Sequence, residues 1–142
     1  MITIEPYLLF NGDCAEAFAF YKEAFGAGNM IVMKYRDLPK NPDMPPGDED
    51  RIAHVILHVG DTAIMGSDAP HSHPVHTGNN YSVCIAPDTL ERAKTVSENL
   101  SAGGVPTMPA GETFWAEYYA GFTDKFGINW MINYLGKKKR QS

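Results

Sequence analysis

Tyr7-Leu8-Leu9-Phe10-Asn11-Gly12-Asp13-Cys14-Ala15-Glu16 opens the chain's ordered part, and Tyr81-Ser82-Val83-Cys84-Ile85-Ala86-Pro87-Asp88-Thr89-Leu90-Glu91 repeats its plan about half a chain later. In the first copy an apolar, strand-like run reaches Asp13, with Glu16 three residues on. Cys14, Ala17, Phe18, Tyr21, Ala24 and Phe25 then recur at helical spacing until Gly26. In the second copy Asp88 precedes Glu91 by the same three residues. Leu90, Ala93, Val96 and Leu100 follow, and Gly103-Gly104 ends the run. An aspartate can accept from an unpaired amide of the first helical turn, and the glutamate complements the helix dipole. Each helix has one apolar face that must lie on a sheet, and glycine permits the left-handed C-terminal conformation. A strand–cap–helix–glycine order met twice is an internal repeat.

Strands follow each helix. Met30–Tyr35 is apolar and aromatic. Ile52–Val59 alternates, with Val55, Leu57 and Val59 on one face and His54, Ile56 and His58 on the other. Gly60-Asp61 reads as a hairpin turn returning through Thr62–Ser67. Val105–Met108, Trp115–Thr123 and Asn129–Tyr134 read as three further strands, the last two joined by the turn Asp124-Lys125-Phe126-Gly127. The expected order is β-α-β-β-β twice. The segment Asp37–Asp50 holds four of the ten prolines and five acidic residues, so it is no central strand; it is a lid or a disordered loop.

Composition bounds the partners. The 142 residues are 44% hydrophobic and 20% charged, enough for one buried core. No apolar run nears the roughly 20 residues of a membrane span, and no secretory signal is evident at Met1, so a cytoplasmic protein is expected. The net charge is -5, and four of the twelve positive residues crowd into Lys137–Arg140, a basic tail over 137–142. The remaining surface repels a polyphosphate backbone, which argues against nucleic acid. The tail is read as a solvated end. Cys14 and Cys84 are expected to be small buried hydrophobes.

The closing motifs Glu112-Thr113-Phe114-Trp115-Ala116, Thr123-Asp124-Lys125-Phe126-Gly127 and Trp130-Met131-Ile132-Asn133 give the chain a resemblance. So do Pro6-Tyr7-Leu8, Gly12-Asp13-Cys14-Ala15-Glu16-Ala17 and Gly66-Ser67-Asp68-Ala69. Together they resemble the PhnB-like branch of the vicinal oxygen chelate superfamily, also called the glyoxalase/bleomycin-resistance/dioxygenase fold. The resemblance implies an α+β fold of two βαβββ modules. Each makes a curved mixed half-sheet within a single glyoxalase-like domain over 1–136, with module one about 1–70 and module two about 78–136. It also implies a homodimer.

Metal-dependent members of that superfamily hold a divalent metal with four His or Glu side chains. Anchored on the helix starts and the final turn, those positions fall here on Pro6, near Met65, on Tyr81 and on Met131; a shift of one brings in Tyr7, Gly66, Asn80 or Ile132. Proline has no donor, a thioether is soft and a neutral phenol is a poor ligand for such a metal. No cofactor is therefore expected. The histidines offer another route: His71, His73 and His76 lie within six residues in a Pro-containing loop. His54 and His58, four apart on a strand, are about 13 Å apart and cannot share one metal; either is a candidate hydrogen-bond donor or base.

Other chemistries have little support. There is no Gly-x-Ser-x-Gly elbow and no Gly-x-Gly-x-x-Gly or P-loop motif. Some relatives carry a ubiquinone-methyltransferase label, but no glycine-rich adenosylmethionine loop is present. The residues expected to meet a small, partly apolar organic ligand are His54, Met65, Ser67, Tyr81, Trp115, Met131 and Asn133. Pro6, Leu8 and Val83 are expected on the same faces by alternation; Trp130, on the opposite face from Met131, is not. Two functions stay open: a metal-free binder of a small molecule, or a metal-dependent isomerase, lyase or dioxygenase with an atypical site recruiting the loop histidines.

Overall fold

The computed structural model describes residues 1–40, 44 and 46–138. The proline-rich residues Pro42 and Pro45 and most of the basic tail therefore lie outside the described residues. The chain forms two compact units, Met1–His76 and Thr77–Ser142. In the first, the order is β1 (Tyr7–Phe10), α1 (Cys14–Phe25), β2 (Met30–Lys34), a short 3-10 turn (Tyr35–Asp37), β3 (Ile52–Val59) and β4 (Thr62–Asp68). In the second it is β5 (Val83–Ile85), α2 (Leu90–Ser101), β6 (Val105–Gly111), β7 (Tyr118–Thr123) and β8 (Asn129–Tyr134). Each unit builds a four-stranded mixed sheet, ordered β1-β4-β3-β2 and β5-β8-β7-β6. The outer pairs β1–β4 and β5–β8 are parallel and the others antiparallel. The repeated βαβββ plan is thus present in both halves.

In the first unit α1 buries Cys14, Ala17, Phe18, Tyr21, Ala24 and Phe25, the six positions whose spacing signalled the helix. Burying a large side chain such as Phe18 is worth roughly 1.5–3 kcal/mol. The helix ends at Gly26, whose φ of 65° lets its N–H and the following one close back on the Glu23 and Lys22 carbonyls. Gly66 in β4 lies directly beneath α1. A Cβ there would sit 2.6 Å from the Phe18 ring and 2.8 Å from the Leu8 carbonyl oxygen, so the helix packs this close only over a glycine.

Both helix starts differ from expectation. Asp13 makes no side-chain cap. Asp68 replaces it from the end of β4: its Oδ1 accepts from the Gly12 and Cys14 N–H groups at 2.8 and 3.0 Å, and its Oδ2 from Ile52 N–H at 2.9 Å. A carboxylate from another strand serves the orphan amides that a local one was expected to serve. At α2 the cap is Thr89, one residue beyond Asp88, accepting from Arg92 N–H at 3.1 Å.

The described part of the acidic loop is tied down. Asp48, only 2% exposed, accepts from His71 N–H and faces the His71 ring at 3.0 Å and Arg51 at 3.2 Å. Arg51 in turn donates to the Ala69 carbonyl. Asn11 grips Val75 with two hydrogen bonds of 2.8 Å. In the second unit Asp124 plays the knot: it accepts from Phe126 and Ile128 N–H and from the Trp130 indole N–H. Trp130 is buried, on the face opposite Met131. Lys138 is no solvated end; it donates to Glu112 and to the Thr113 carbonyl.

Candidate functional site

In each sheet one face is packed on the unit's own helix, and the candidate residues lie mostly on the other. In the first unit the register places Tyr7 beside Met65, Leu9 beside Ser67, Ile56 beside Met65 and Met33 beside His54. Tyr7, not Pro6, therefore occupies the first-strand position facing Met65. Leu8, beside Gly66, points under α1 and is buried. The alternation expected from Pro6 and Leu8 is off by one, because the strand pairing that fixes the face is made with β4, 58 residues away.

Tyr7 and His54 form the polar centre of this face. The Tyr7 hydroxyl and His54 Nδ1 are 3.1 Å apart, and the rings stack with centroids at 5.7 Å. The tautomer of His54 decides which group donates. Ser67 is buried and Met65 half-buried beside them. His58 lies further along β3 and is exposed.

In the second unit Gly121 and Cys84 flank Met131 in register, and Tyr119 flanks Asn133. Val83 pairs with Trp130 and so shares the helix-covered face, not the site face. Cys84 is exposed rather than buried. Cys14 is fully buried, and burial, followed by the charges of Asp68 and Asp13, pushes its thiol well above the ordinary range. It is a packing residue.

Trp115 precedes β7 instead of opening it. It is held by a tight turn in which Ala116 N–H donates to Thr113 Oγ1 and Thr113 N–H to the Ala116 carbonyl. Its ring meets Phe114 edge-on at 4.9 Å and Tyr119 at 5.2 Å. The Tyr119 hydroxyl donates to Met131 Sδ at 3.9 Å. Burial, and to a lesser degree the Cys84 thiol, hold the Tyr119 hydroxyl above its usual range, so it stays a neutral donor at pH 7. Asn133 completes the group. Its Oδ1 is buried with no hydrogen-bond partner among the described residues. Tyr81 stands apart from this cluster: it precedes β5, is 40% exposed, and its hydroxyl accepts from Asn129 N–H at 3.4 Å.

The sequence reading reached Tyr7 only as the shift-of-one alternative to Pro6, and did not include Tyr119. Tyr119 carried a signal, since it alternates with Gly121 in the expected strand. For Tyr7 the signal was its place at the strand start, one residue from the anchored position.

Residues 2–133 match the model of the 3-demethylubiquinone-9 3-methyltransferase family. The chain belongs to that family. It is 32% identical to Protein YjdN of Escherichia coli K12, covering 99% of this chain and 100% of that one. The crystal structure of PA1353 from Pseudomonas aeruginosa superposes with a TM-score of 0.85 at 37% identity, covering 94% of this chain and 98% of that chain. A PhnB protein from Bacillus cereus gives 0.73 at 22% identity, covering 94% and 99%. A glyoxalase/bleomycin resistance protein from Albidiferax ferrireducens gives 0.62 at 14%, covering 94% and 98%, a likeness of fold. The fold is thus the glyoxalase/bleomycin-resistance-like one that the motifs indicated.

The resemblance to the vicinal oxygen chelate superfamily implies a divalent metal. The positions corresponding to its ligands carry Tyr7, Met65, Tyr81 and Met131, a donor set that does not fit a hard or borderline divalent ion. Among the described residues no three of His, Cys, Asp or Glu gather as metal ligands would. Of the loop histidines, His71 is turned to Asp48 and His73 to Ser72.

Proposed function

We propose that this protein binds a small, partly apolar organic molecule without a metal ion and without glyoxalase-type turnover. The observation that carries the reading is the aromatic and thioether group of Trp115, Tyr119 and Met131, which ends at the buried Oδ1 of Asn133, without a hydrogen-bond partner among the described residues. Few polar atoms among apolar and aromatic surface is the usual make-up of a small-molecule site. The Tyr7–His54 pair, with Met65 and Ser67, supplies a second such surface on the first unit. Tyr81 serves this reading least, because its hydroxyl is engaged with the Asn129 backbone.

The methyl transfer in the family's name is not carried over. Transfer needs a methyl donor, and the chain has no glycine-rich loop of the kind that holds adenosylmethionine. No observation favours a metal enzyme built on His71, His73 and His76, since His71 is engaged elsewhere. A cytoplasmic homodimer belongs to the same proposal. The dimer is supported by Ile31, Val32 and Met33, exposed on the outermost strand β2. No helix among the described residues is long and apolar enough to cross a membrane.

Untagged protein tests the proposal. Metal analysis is expected to find no stoichiometric ion. A panel of planar aromatic metabolites is expected to contain compounds that raise the melting temperature; saturation at a hundredfold excess over Kd is worth ~2.7 kcal/mol. Trp115→Ala should remove that stabilisation. Stoichiometric metal, lost on replacing His71, His73 and His76, would overturn the reading.

A further inference from the structure

We infer that Asn133 selects the ligand: its Oδ1 accepts an N–H or O–H from a flat, uncharged molecule lying against Trp115, Tyr119 and Met131. This rests on the binding proposal above and narrows it to a chemical class. A buried carbonyl-type oxygen is almost always paired in a folded protein, and an unpaired one is a standing loss that a bound donor removes. Among the described residues Asn133 Oδ1 is such an oxygen. Its neighbours do not serve it. Tyr119, its register partner across β7, turns its hydroxyl to Met131 Sδ. The inward row of β8 offers Asn129, whose side chain is spent on the Gly78 carbonyl and the Thr123 hydroxyl.

The surroundings set the rest of the ligand. Gly121, beside Met131, contributes no side chain, and the Trp115 ring stands edge-on to Tyr119 at 5.2 Å. Flat aromatic surface suits flat aromatic ligands. A carboxylate, phosphate or other acceptor-only group leaves this oxygen unserved, so a ligand that carries a donor is favoured. The class is therefore a planar heteroaromatic or phenolic compound that carries a ring N–H or O–H.

The test uses two fragments of one shape, indole with its N–H and benzofuran without it. Each is titrated into the ¹⁵N-labelled full chain and followed by amide chemical shifts. Indole is expected to bind about tenfold tighter than benzofuran, the usual worth of one hydrogen bond to a buried acceptor. Asn133→Leu should bring indole down to the benzofuran affinity. Asn133→Asp, which keeps an acceptor at that point, should retain most of the preference and covers the case in which the leucine variant does not fold. Equal affinities in the parent chain would overturn the inference while leaving the binding site standing. So would an aspartate variant that behaves like the leucine one. If neither fragment binds, or Trp115→Ala leaves both unchanged, the site itself is refuted, and the inference falls with it.

Discussion

Replacing Asp68 by alanine probes the point on which the first unit depends most. The carboxylate is 1% exposed and accepts three backbone N–H groups, from Gly12, Cys14 and Ile52, at 2.8 to 3.0 Å. These amides lie at the end of β1, the start of α1 and the start of β3, so one side chain fastens three elements. Hydrogen bonds to a charged group contribute about 1.5–3 kcal/mol each. Losing three together, with some relief from water entering the space, should cost about 4 kcal/mol, a large share of a typical domain's stability. Near 140 residues that corresponds to a melting point lower by roughly 14 °C. Asp68→Asn keeps the oxygen that serves Gly12 and Cys14 but turns an NH2 towards Ile52 N–H, and should cost about 2 kcal/mol. Urea unfolding followed by circular dichroism gives the free energies, and hydrogen exchange at the three amides gives the location. An alanine variant that loses under about 1 kcal/mol, with all three amides still protected, would refute this account of the carboxylate.

Gly66→Ala should cost about 3 kcal/mol, read by the same unfolding curves, because the new methyl meets the fixed Leu8 carbonyl as well as the Phe18 ring. Native protein should release one thiol equivalent to a chromogenic disulfide reagent, from exposed Cys84. The second, from Cys14, should react only after unfolding. The bond between Asp48 and His71, with Arg51 beside it, holds the Asp48 carboxyl below its ordinary value of 3.8. A lowered folded value means that its contribution is complete above pH 3.8 and is lost as the pH falls through the lower folded value. The His71 amide, which donates to Asp48, should keep its proton NMR position at pH 4.5 and move only in stronger acid.

What was legible in the sequence was whatever repeats locally. The apolar spacing of α1 and α2, the alternation of β3 and the two-residue hairpin after Val59 all follow from periodicity within a dozen residues. What was not legible came from partners far along the chain. Asp68 caps α1 across more than fifty residues, so Asp13 looked sufficient when it was not. The face of β1 is fixed by pairing with β4, so a reading from Pro6 put Leu8 in the site and left Tyr7 out. Pro106 and Pro109 argue against a long β6, yet it runs to Gly111, because β6 is an outermost strand and pairs on one side only. Trp115 was read as the start of the strand ending at Thr123, whereas the Thr113–Ala116 turn holds it outside β7. That Met131 and Asn133 share one face followed from alternation, but the Asn133 amide oxygen without a partner among the described residues could be seen only in three dimensions.

The stretch from His71 to Val75 is stapled at both ends, to Asp48 at one and to Asn11 at the other, while Ser72, His73 and Pro74 between them are exposed. Such an arrangement separates the fate of the middle from that of the ends. A foreign peptide spliced in after His73 would loop outward from two fixed posts, and the sheet beneath would not register its length. The tip is thus a natural docking berth for an epitope or a fluorophore, and a place where inherited insertions can accumulate without disturbing the strands on either side.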